Sequence, residues 1–250
     1  MADIPAFYDE IKNRFGNIKR ARSFYLYTEK TVRLVDMYLE GGCAVLGWRS
    51  GNARLMLKND LNRGFTGTYC SAFPKQLENA LKKLYPAYSS FVQITSDEKY
   101  SQILKAAGKD TIPLLRPWLD CGEPETAEVL VPFAWKPYRI FAFKNTANIG
   151  SDSVPSPLYK AVTRAFYDLI AEIPLRTEQV LSAHDKYTDR FWERKGIWLF
   201  PKVAKDDYPG FFSACLDRQL FISPYYEIPS VVPFSATDGD MAKLKTITLK

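Results

Sequence analysis

The spacing of apolar residues divides the chain into helical and strand-like segments. Apolar side chains recur at helical intervals in four segments, residues 4–15, 53–62, 75–85 and 156–173. In the second of these helices, Leu55 and Leu61 are expected to face inward. Short apolar runs bounded by turn residues predict strands, of which the clearest cover residues 24–27, 32–36, 129–133 and 138–143. The first two strands flank Glu29 and Lys30 and are predicted to form a hairpin.

Capping residues support further helices. Ser96 directly precedes "DEKYSQILKAAG" and is the expected N-cap of a helix that Gly108 closes. Thr237, followed three residues later by Asp240, predicts a capping box at the last helix, with Asp in place of the usual Glu. A single helix is also expected over residues 177–192.

The last 50 residues read as strand, helix, strand, strand and helix, and such a unit needs a partner surface on which to bury its strands. The long helix beginning at Ser156 is the natural candidate for that surface. It follows the most linker-like stretch of the chain, residues 145–159, which is rich in Asn, Ser, Pro and Gly. The order of elements predicts an α/β protein with α+β character.

Composition narrows the functional classes. The 250 residues are 46% hydrophobic and 25% charged, and the net charge of +6 is spread along the chain without a block of like charges, so nucleic-acid binding is not expected. The four cysteines lie far apart and form no CxxC pair, which argues against zinc or any other metal. The N-terminal residues lack an apolar signal core, and no window approaches the ~20 apolar residues of a membrane helix. We therefore expect a cytoplasmic protein with reduced thiols and no membrane contact.

Common catalytic motifs are missing from the sequence. It contains no GxSxG, GxGxxG or GxxxxGK[ST], which disfavours nucleophile-elbow, dinucleotide and P-loop enzymes. His184, the only histidine, is interpreted as a surface residue in a polar helix. Cys43 is interpreted as a small buried residue rather than a reactive thiol.

Both ends of the chain resemble one family. The segment "SFYLYTEKTVRLVDMYLEGGCAVLGW" is similar to the N-terminal segment of fold-type I aminotransferases that depend on pyridoxal phosphate (PLP), most nearly the class III branch. Asp36, Gly41 and Gly47 fall in step with that pattern, whereas Trp48 replaces the usual histidine. The segment from Gly196 onward resembles the C-terminal small domain of the same family.

The resemblance implies a domain arrangement. Residues 1–90 together with 160–250 would form an aminotransferase-like small domain, and residues 91–159 a shortened remnant of the large domain with a reduced central sheet. The large domain of the family holds PLP with a phosphate-binding loop at a helix start, an aspartate on the pyridine nitrogen and a Schiff-base lysine. The chain therefore looks like a truncated or degenerate relative.

The middle of the chain offers only fragments of that cofactor site. Ser96 stands where the phosphate-binding helix would begin, but Asp97 and Glu98 bring negative charge to the anion position. Lys144, at the end of the strand "YRIFAFK", is the best-placed lysine, and Lys136 and Lys160 are weaker candidates. We expect that no PLP is used and that the protein is a pseudoenzyme with a binding or structural role.

Two alternatives stay open. The chain could be a PLP-dependent transferase in which Lys144 forms the Schiff base and the Ser96 helix start holds the phosphate. It could instead be a small-molecule binding module whose pocket between the lobes is lined by Trp118, Trp135 and Tyr225. The high aromatic content of 14%, together with the dimers that the resemblance implies, predicts a homodimer.

Overall fold

The structure is a computed structural model that describes residues 5–48, 51–66, 74–135, 138–147 and 149–248. In chain order the α-helices are α1 (Ala6–Phe15), α2 (Ala53–Asn62), α3 (Pro74–Leu84), α4 (Asp97–Ala107), α5 (Ser156–Glu172), α6 (Glu178–Leu181), α7 (Asp185–Thr188), α8 (Tyr208–Asp217) and α9 (Asp238–Ala242). The strands are β1 (Ile18–Arg22), β2 (Tyr25–Thr28), β3 (Arg33–Asp36), β4 (Ser90–Ile94), β5 (Leu114–Leu115), β6 (Thr126–Val129), β7 (Arg139–Phe143), β8 (Trp192–Lys195), β9 (Trp198–Pro201), β10 (Leu220–Phe221) and β11 (Ser230–Val231). Short 3-10 helices cover Ile173–Leu175, Ser182–His184 and Lys243–Thr246. The expected α/β class with small sheets is confirmed.

The chain divides into two units. The terminal unit comprises Met1–Ser50 and Arg176–Lys250, and the central unit comprises Gly51–Leu175. The sequence placed residues 51–90 and 160–175 with the ends, whereas the structure places them in the central unit. The reason is packing, because α2 and α3 both lie against α5 and the three helices stay together.

Two sheets build the terminal unit. One has the strand order β1-β2-β3-β10, and the other has the order β11-β9-β8. The β2–β3 hairpin is confirmed, with Leu26 opposite Leu34 in an antiparallel register. The tail joins this hairpin through β10, which runs parallel to β3 and sets Leu220 opposite Val35.

This pairing corrects the partner expected for the tail. The long helix α5 belongs to the central unit, and the tail instead packs with the N-terminal hairpin. This unit contains the fully buried side chains of Leu34, Trp192, Trp198 and Phe211. All of them except Trp198 belong to the main apolar cluster of the unit. Burying a large apolar side chain stabilises by roughly 1.5–3 kcal/mol. The pairing of β3 with β10 joins two segments that lie about 180 residues apart in the sequence.

In the part of the central unit that the structure describes, one four-stranded sheet has the order β4-β7-β6-β5. Strands β4 and β7 are antiparallel, with Ser90 opposite Phe143 and Ile94 opposite Arg139. The strand predicted over 129–133 instead ends at Val129, because the chain leaves the sheet before Pro132, which lacks the N–H that a ladder requires. Helix α4 covers this sheet with the fully buried Ile103.

Helix α2 has the predicted bounds, but its faces are reversed. Leu55 and Leu61 are 43% and 46% exposed, whereas Asp60 is buried. Asp60 forms an ion pair of 2.7 Å with Lys160 of α5, on the side of α2 that also buries Ala53. The expectation that both leucines face the core is therefore wrong.

The helix predicted over 177–192 is also wrong as a single element. Helices α6 and α7, separated by a 3-10 turn, occupy that stretch, and β8 begins at Trp192. Within the described residues, no helix is both long and apolar enough to cross a bilayer.

Candidate functional site

The start of α4 is the position at which the resemblance implies an anion site. Ser96 is the N-cap in an extended conformation, and its hydroxyl oxygen accepts a hydrogen bond from the backbone N–H of Lys99 at 3.4 Å. Asp97 and Glu98 lie in the first turn. The capping role predicted for Ser96 is confirmed, while its role in cofactor binding stays a prediction.

The carboxylate of Asp152 lies directly beside this helix start. Its Oδ2 accepts hydrogen bonds from the backbone N–H of Thr95 at 2.7 Å and from the Thr95 hydroxyl at 3.3 Å. Its Oδ1 forms an ion pair of 2.6 Å with Nζ of Lys99. The ammonium group of Lys99, and after it the N–H of Thr95, hold the pKa of Asp152 below its usual value. The chain thus places its own anion beside the start of α4, on Thr95, which precedes the N-cap, and on the side chain of Lys99.

The backbone fixes Asp152 in this position. Its N–H donates to the carbonyl oxygen of Gln93 at 2.8 Å, and the hydroxyl of Ser151 accepts from the N–H of Gln93 at 3.1 Å. The same Lys99 ammonium also donates to the carbonyl oxygen of Gly150 at 2.8 Å. Residues 150–152 are therefore held along the end of β4.

A PLP phosphate does not fit these residues. It would compete with Asp152 for Thr95 and Lys99, and it would lie next to the carboxylates of Asp97 and Glu98. Like charges at such separations repel, even where a helix dipole favours an anion.

Lys144, the lysine proposed for the Schiff base, directly follows β7. Its Nζ lies 4.0 Å from a carboxylate oxygen of Glu123 and 3.9 Å from one of Glu125. Its backbone N–H donates to the carbonyl oxygen of Glu125 at 3.0 Å. The Lys144 ammonium thus lies near two carboxylates, just after the end of an inner strand of the sheet.

The β4–β7 register separates Lys144 from Ser96. Lys144 comes just after Phe143, which pairs with Ser90 at the beginning of β4, whereas Ser96 follows the other end of that strand. Five residues of a strand span roughly 16 Å. The two residues that the PLP alternative combines therefore lie at opposite ends of the strand pair.

The weaker lysine candidates have different surroundings. Lys136 lies outside the described residues. Lys160 has a side chain only 13% exposed and pairs with the buried carboxylate of Asp60. That pair joins two helices of the central unit, a structural role that follows from the cost of leaving either buried charge alone.

The three aromatic residues predicted to line one pocket lie in different environments. Trp118 lines a cavity of the central unit. Trp135, in the same unit, is 48% exposed and stacks on Phe133 with ring centroids 6.3 Å apart. Tyr225 belongs to the terminal unit, where its ring meets that of Phe7 edge-on at 5.9 Å.

The Trp118 cavity has a volume of about 290 Å3 and is lined by residues 84–88, 115–123 and Ile173. The hydroxyl of Tyr88 and the indole Nε1 of Trp118 are buried, and neither finds a hydrogen-bond partner among the described residues. Trp118 also has a backbone φ of +59°. Trp118 was predicted from the sequence as a pocket residue, whereas Tyr88 was not. The stretches "LYPAY" and "LRPWL" carry the same combination of proline and aromatic residues, which is the signal that could have indicated Tyr88.

A second internal anion lies in the segment that carries the N-terminal resemblance. Asp36 is 1% exposed, and its Oδ1 accepts hydrogen bonds from the backbone N–H groups of Tyr38 and Leu39 at 3.0 and 2.8 Å. The indole Nε1 of Trp48 donates to its Oδ2 at 2.7 Å. Burial raises the pKa of Asp36 to about 6, although the three donors act in the opposite direction. Trp48, which stands where the resemblance would place a histidine, is thus a hydrogen-bond donor to this carboxylate.

The expectations for His184 and Cys43 need correction. His184 is only 6% exposed rather than on the surface, and burial lowers its pKa. His184 ends the 3-10 turn Ser182–His184, which interrupts the single helix predicted for this stretch. Cys43 is half-buried rather than buried.

Two relatives are similar to this chain over most of its length. No family model matches the sequence. An uncharacterised protein of Treponema pallidum is 26% identical, with 91% of this chain and 92% of the relative covered. An uncharacterised protein of Borreliella burgdorferi is also 26% identical, with 92% and 89% covered.

Solved structures give a more specific likeness. The ornithine aminotransferase of Plasmodium yoelii superposes with a TM-score of 0.60 at 12% identity, covering 97% of each chain. An omega-transaminase of Sphaerobacter thermophilus gives a TM-score of 0.64 at 10% identity, covering 97% of this chain and 95% of that one. A Sphingopyxis protein solved in its PLP internal aldimine form gives 0.63 at 11% identity, covering 92% and 86%. The chain therefore has the fold of the PLP-dependent aminotransferases.

Proposed function

We propose that this protein uses the aminotransferase fold to bind a small molecule and does not carry out PLP chemistry. The observation that carries the proposal against PLP chemistry is the Asp152 carboxylate, which accepts the Thr95 N–H and pairs with Lys99 beside the helix start at which the resemblance implies the cofactor phosphate. The cavity of about 290 Å3 beside Trp118 supports the binding of a small molecule. Helix N-termini bind phosphate through free N–H groups and the helix dipole. Here the carboxylate of Asp152 already lies beside the helix start and pairs with Lys99 of the first turn, so a second anion at this position would be repelled.

The surroundings of Lys144 support the same proposal. A Schiff-base lysine must lie next to the group that holds the cofactor, because a single rigid molecule connects the two sites. Lys144 instead lies beside Glu123 and Glu125, at the other end of the strand pair from Ser96. Pseudoenzyme character and a shortened large domain are parts of this proposal.

Adduct formation tests the proposal directly. The purified protein is incubated with equimolar pyridoxal phosphate, dialysed, reduced with borohydride to fix any imine, and weighed by intact mass spectrometry. We expect no stoichiometric adduct, and the same result for Lys144→Ala.

Two outcomes would overturn the proposal. One adduct per chain that Lys144→Ala abolishes would establish the PLP-dependent alternative. The names of the structural neighbours, an ornithine aminotransferase and a protein in its PLP internal aldimine form, favour that alternative. An adduct that persists in Lys144→Ala would place the imine on another lysine, which peptide mapping would identify. The homodimer stays a prediction, and the molar mass of the protein in solution measures it.

A further inference from the structure

A groove between α1 and α8 has the volume of a small-molecule site. It lies in the terminal unit, measures about 510 Å3, and is lined by the first two turns of α1, the start of α8 and Pro224. Pockets for small ligands run from about 300 to 1,000 Å3. The groove is therefore large enough for a small molecule, and it shares no lining residue with the Trp118 cavity.

The α8 side of the groove is apolar. Tyr208 and Pro209 lie four and three residues before Phe212, so the three share one face of the helix. Pro209 is exposed, whereas Phe212 and Phe7 form the floor with 6% and 9% exposure. The rings of Phe212 and Phe7 both pack on Phe221, with centroids 6.3 and 5.7 Å apart. These contacts hold the apolar surface in place, so a ligand does not have to order it.

The α1 side of the groove is polar and acidic. Ala6, Asn13 and the two acidic residues between them recur at intervals of three or four, so they lie along one side of α1. Asp9 and Glu10 bring two carboxylates, and no described lysine or arginine lines the groove. In a chain with a net charge of +6, this surface favours a cation over an anion.

The two carboxylates differ in their partners. Glu10 forms an ion pair of 2.9 Å with Arg14, whose guanidinium also pairs with Asp217. The ammonium group of Lys30 donates to two carbonyl oxygens of the last turn of α1, at 3.0 and 3.3 Å. Asp9 lies in the first turn instead, is exposed, and has no ion-pair partner among the described residues. Its negative charge is therefore available to a ligand.

We propose that the groove between α1 and α8 binds a small organic ammonium ion with an apolar or aromatic body. The ammonium group pairs with the carboxylate of Asp9, and the body lies on Pro209, Phe212 and Phe7. This site goes beyond the proposed function, whose support lies in the central unit. The ion 2-phenylethylammonium, in which two methylene groups join a ring to the cation, has the required combination.

Titration of the full chain with 2-phenylethylammonium at pH 7 tests the proposal. The readout is the backbone amide signal of Phe212 in a 1H–15N spectrum, which we expect to shift in a saturable manner. The neutral 2-phenylethanol has the same body without the charge. It should bind about two- to fivefold more weakly, because an exposed ion pair contributes no more than that.

Variants of Asp9 locate the preference for the cation. Asp9→Asn should bind both ligands equally, at the affinity of 2-phenylethanol, whereas Asp9→Glu keeps the charge and should keep the preference. Asp97→Asn removes an exposed carboxylate from the first turn of α4. It is the matched control and should bind as the wild type does.

Three results would overturn the proposal. The first is a Phe212 signal that 2-phenylethylammonium leaves unmoved. The second is equal affinity of the wild type for the ammonium ion and the alcohol, or a preference for the ammonium ion that persists in Asp9→Asn. The third is equally tight binding of methylammonium, which has the charge but no ring. None of these involves pyridoxal phosphate or the Trp118 cavity, so failure of this proposal and failure of the proposed function are distinguishable.

Discussion

Asp36 and Asp152 are both carboxylates that the chain places against backbone N–H donors, yet their pKa values move in opposite directions. Asp36 of the terminal unit accepts from two backbone N–H groups and an indole, and burial raises its pKa to about 6. Asp152 of the central unit has an ammonium group at 2.6 Å, and its pKa is lowered. At Asp36, neutral donors alone do not offset the desolvation of a fully buried carboxylate, so its pKa rises. At Asp152, which is partly exposed, the nearby cation outweighs the smaller desolvation, so its pKa falls.

The largest expected effect comes from removing the more buried carboxylate. Asp36→Ala leaves the N–H groups of Tyr38 and Leu39 and the indole of Trp48 without an acceptor. At about 1–3 kcal/mol for each unsatisfied group, partly offset by relief of a buried charge, we expect a loss of about 3–5 kcal/mol. Urea unfolding at pH 7 measures it. Asp36→Asn keeps an acceptor for the two backbone N–H groups and should lose less stability. Equal losses in the two variants would show that the hydrogen bonds to the backbone do not contribute to stability.

The pH dependence of stability isolates the raised pKa. Between the ordinary value of 3.8 and about 6, folded Asp36 binds more proton than the unfolded chain does. Its contribution to stability is therefore complete below pH 3.8 and is lost as the pH rises through about 6. A shift of about two units corresponds to about 3 kcal/mol.

The measurement is the unfolding free energy of the wild type relative to Asp36→Asn at pH 4.5, 6 and 7.5. We expect the unfolding free energy of the wild type to fall relative to that of Asp36→Asn as the pH rises. His184 acts with the opposite sign, since its lowered pKa removes stability as the pH falls below 6.5, but it is common to both proteins and cancels. A difference that is flat with pH would contradict the raised pKa.

The smaller effect is expected at Asp152. Asp152→Ala should lower stability by about 1.5–3 kcal/mol, because Thr95 and Lys99 lose a charged partner. Asp97→Ala removes an exposed carboxylate from the same helix start and should cost at most about 1 kcal/mol. Thermal unfolding in the presence of inorganic phosphate adds a second measurement. Phosphate should raise the melting temperature of the double variant Asp152→Ala/Asp97→Ala more than that of Asp97→Ala, and an equal rise in both would mean that Asp152 does not fill the anion position.

The sequence predicted best where a few adjacent residues suffice. The Ser96 cap, the left-handed Gly108 and the reciprocal bonds of Thr237 and Asp240 are confirmed. Each depends on backbone conformation and a side chain within three residues. The β2–β3 hairpin is confirmed for the same reason.

Sequence reasoning failed where a helix has two plausible faces or where a buried polar group decides the packing. Leu55 and Leu61 have helical spacing with other apolar residues, but the side of α2 that is buried carries Ala53 and Asp60, and Asp60 pairs with Lys160. His184 was expected on the surface because its neighbours are polar, and the 3-10 turn in which it is buried has no clear sequence signal.

The sequence by itself determined the α/β class, the caps and the segment that carries Ser96. Only the tertiary structure decided what that segment can bind, because Asp152 reaches Thr95 across 57 residues of chain. It likewise separated Lys144 from Ser96 through the β4–β7 register and joined the N-terminal hairpin to the tail through β10. Such long-range contacts depend on which surfaces bury together, and the energy of that choice is summed over the whole core rather than encoded in any local pattern.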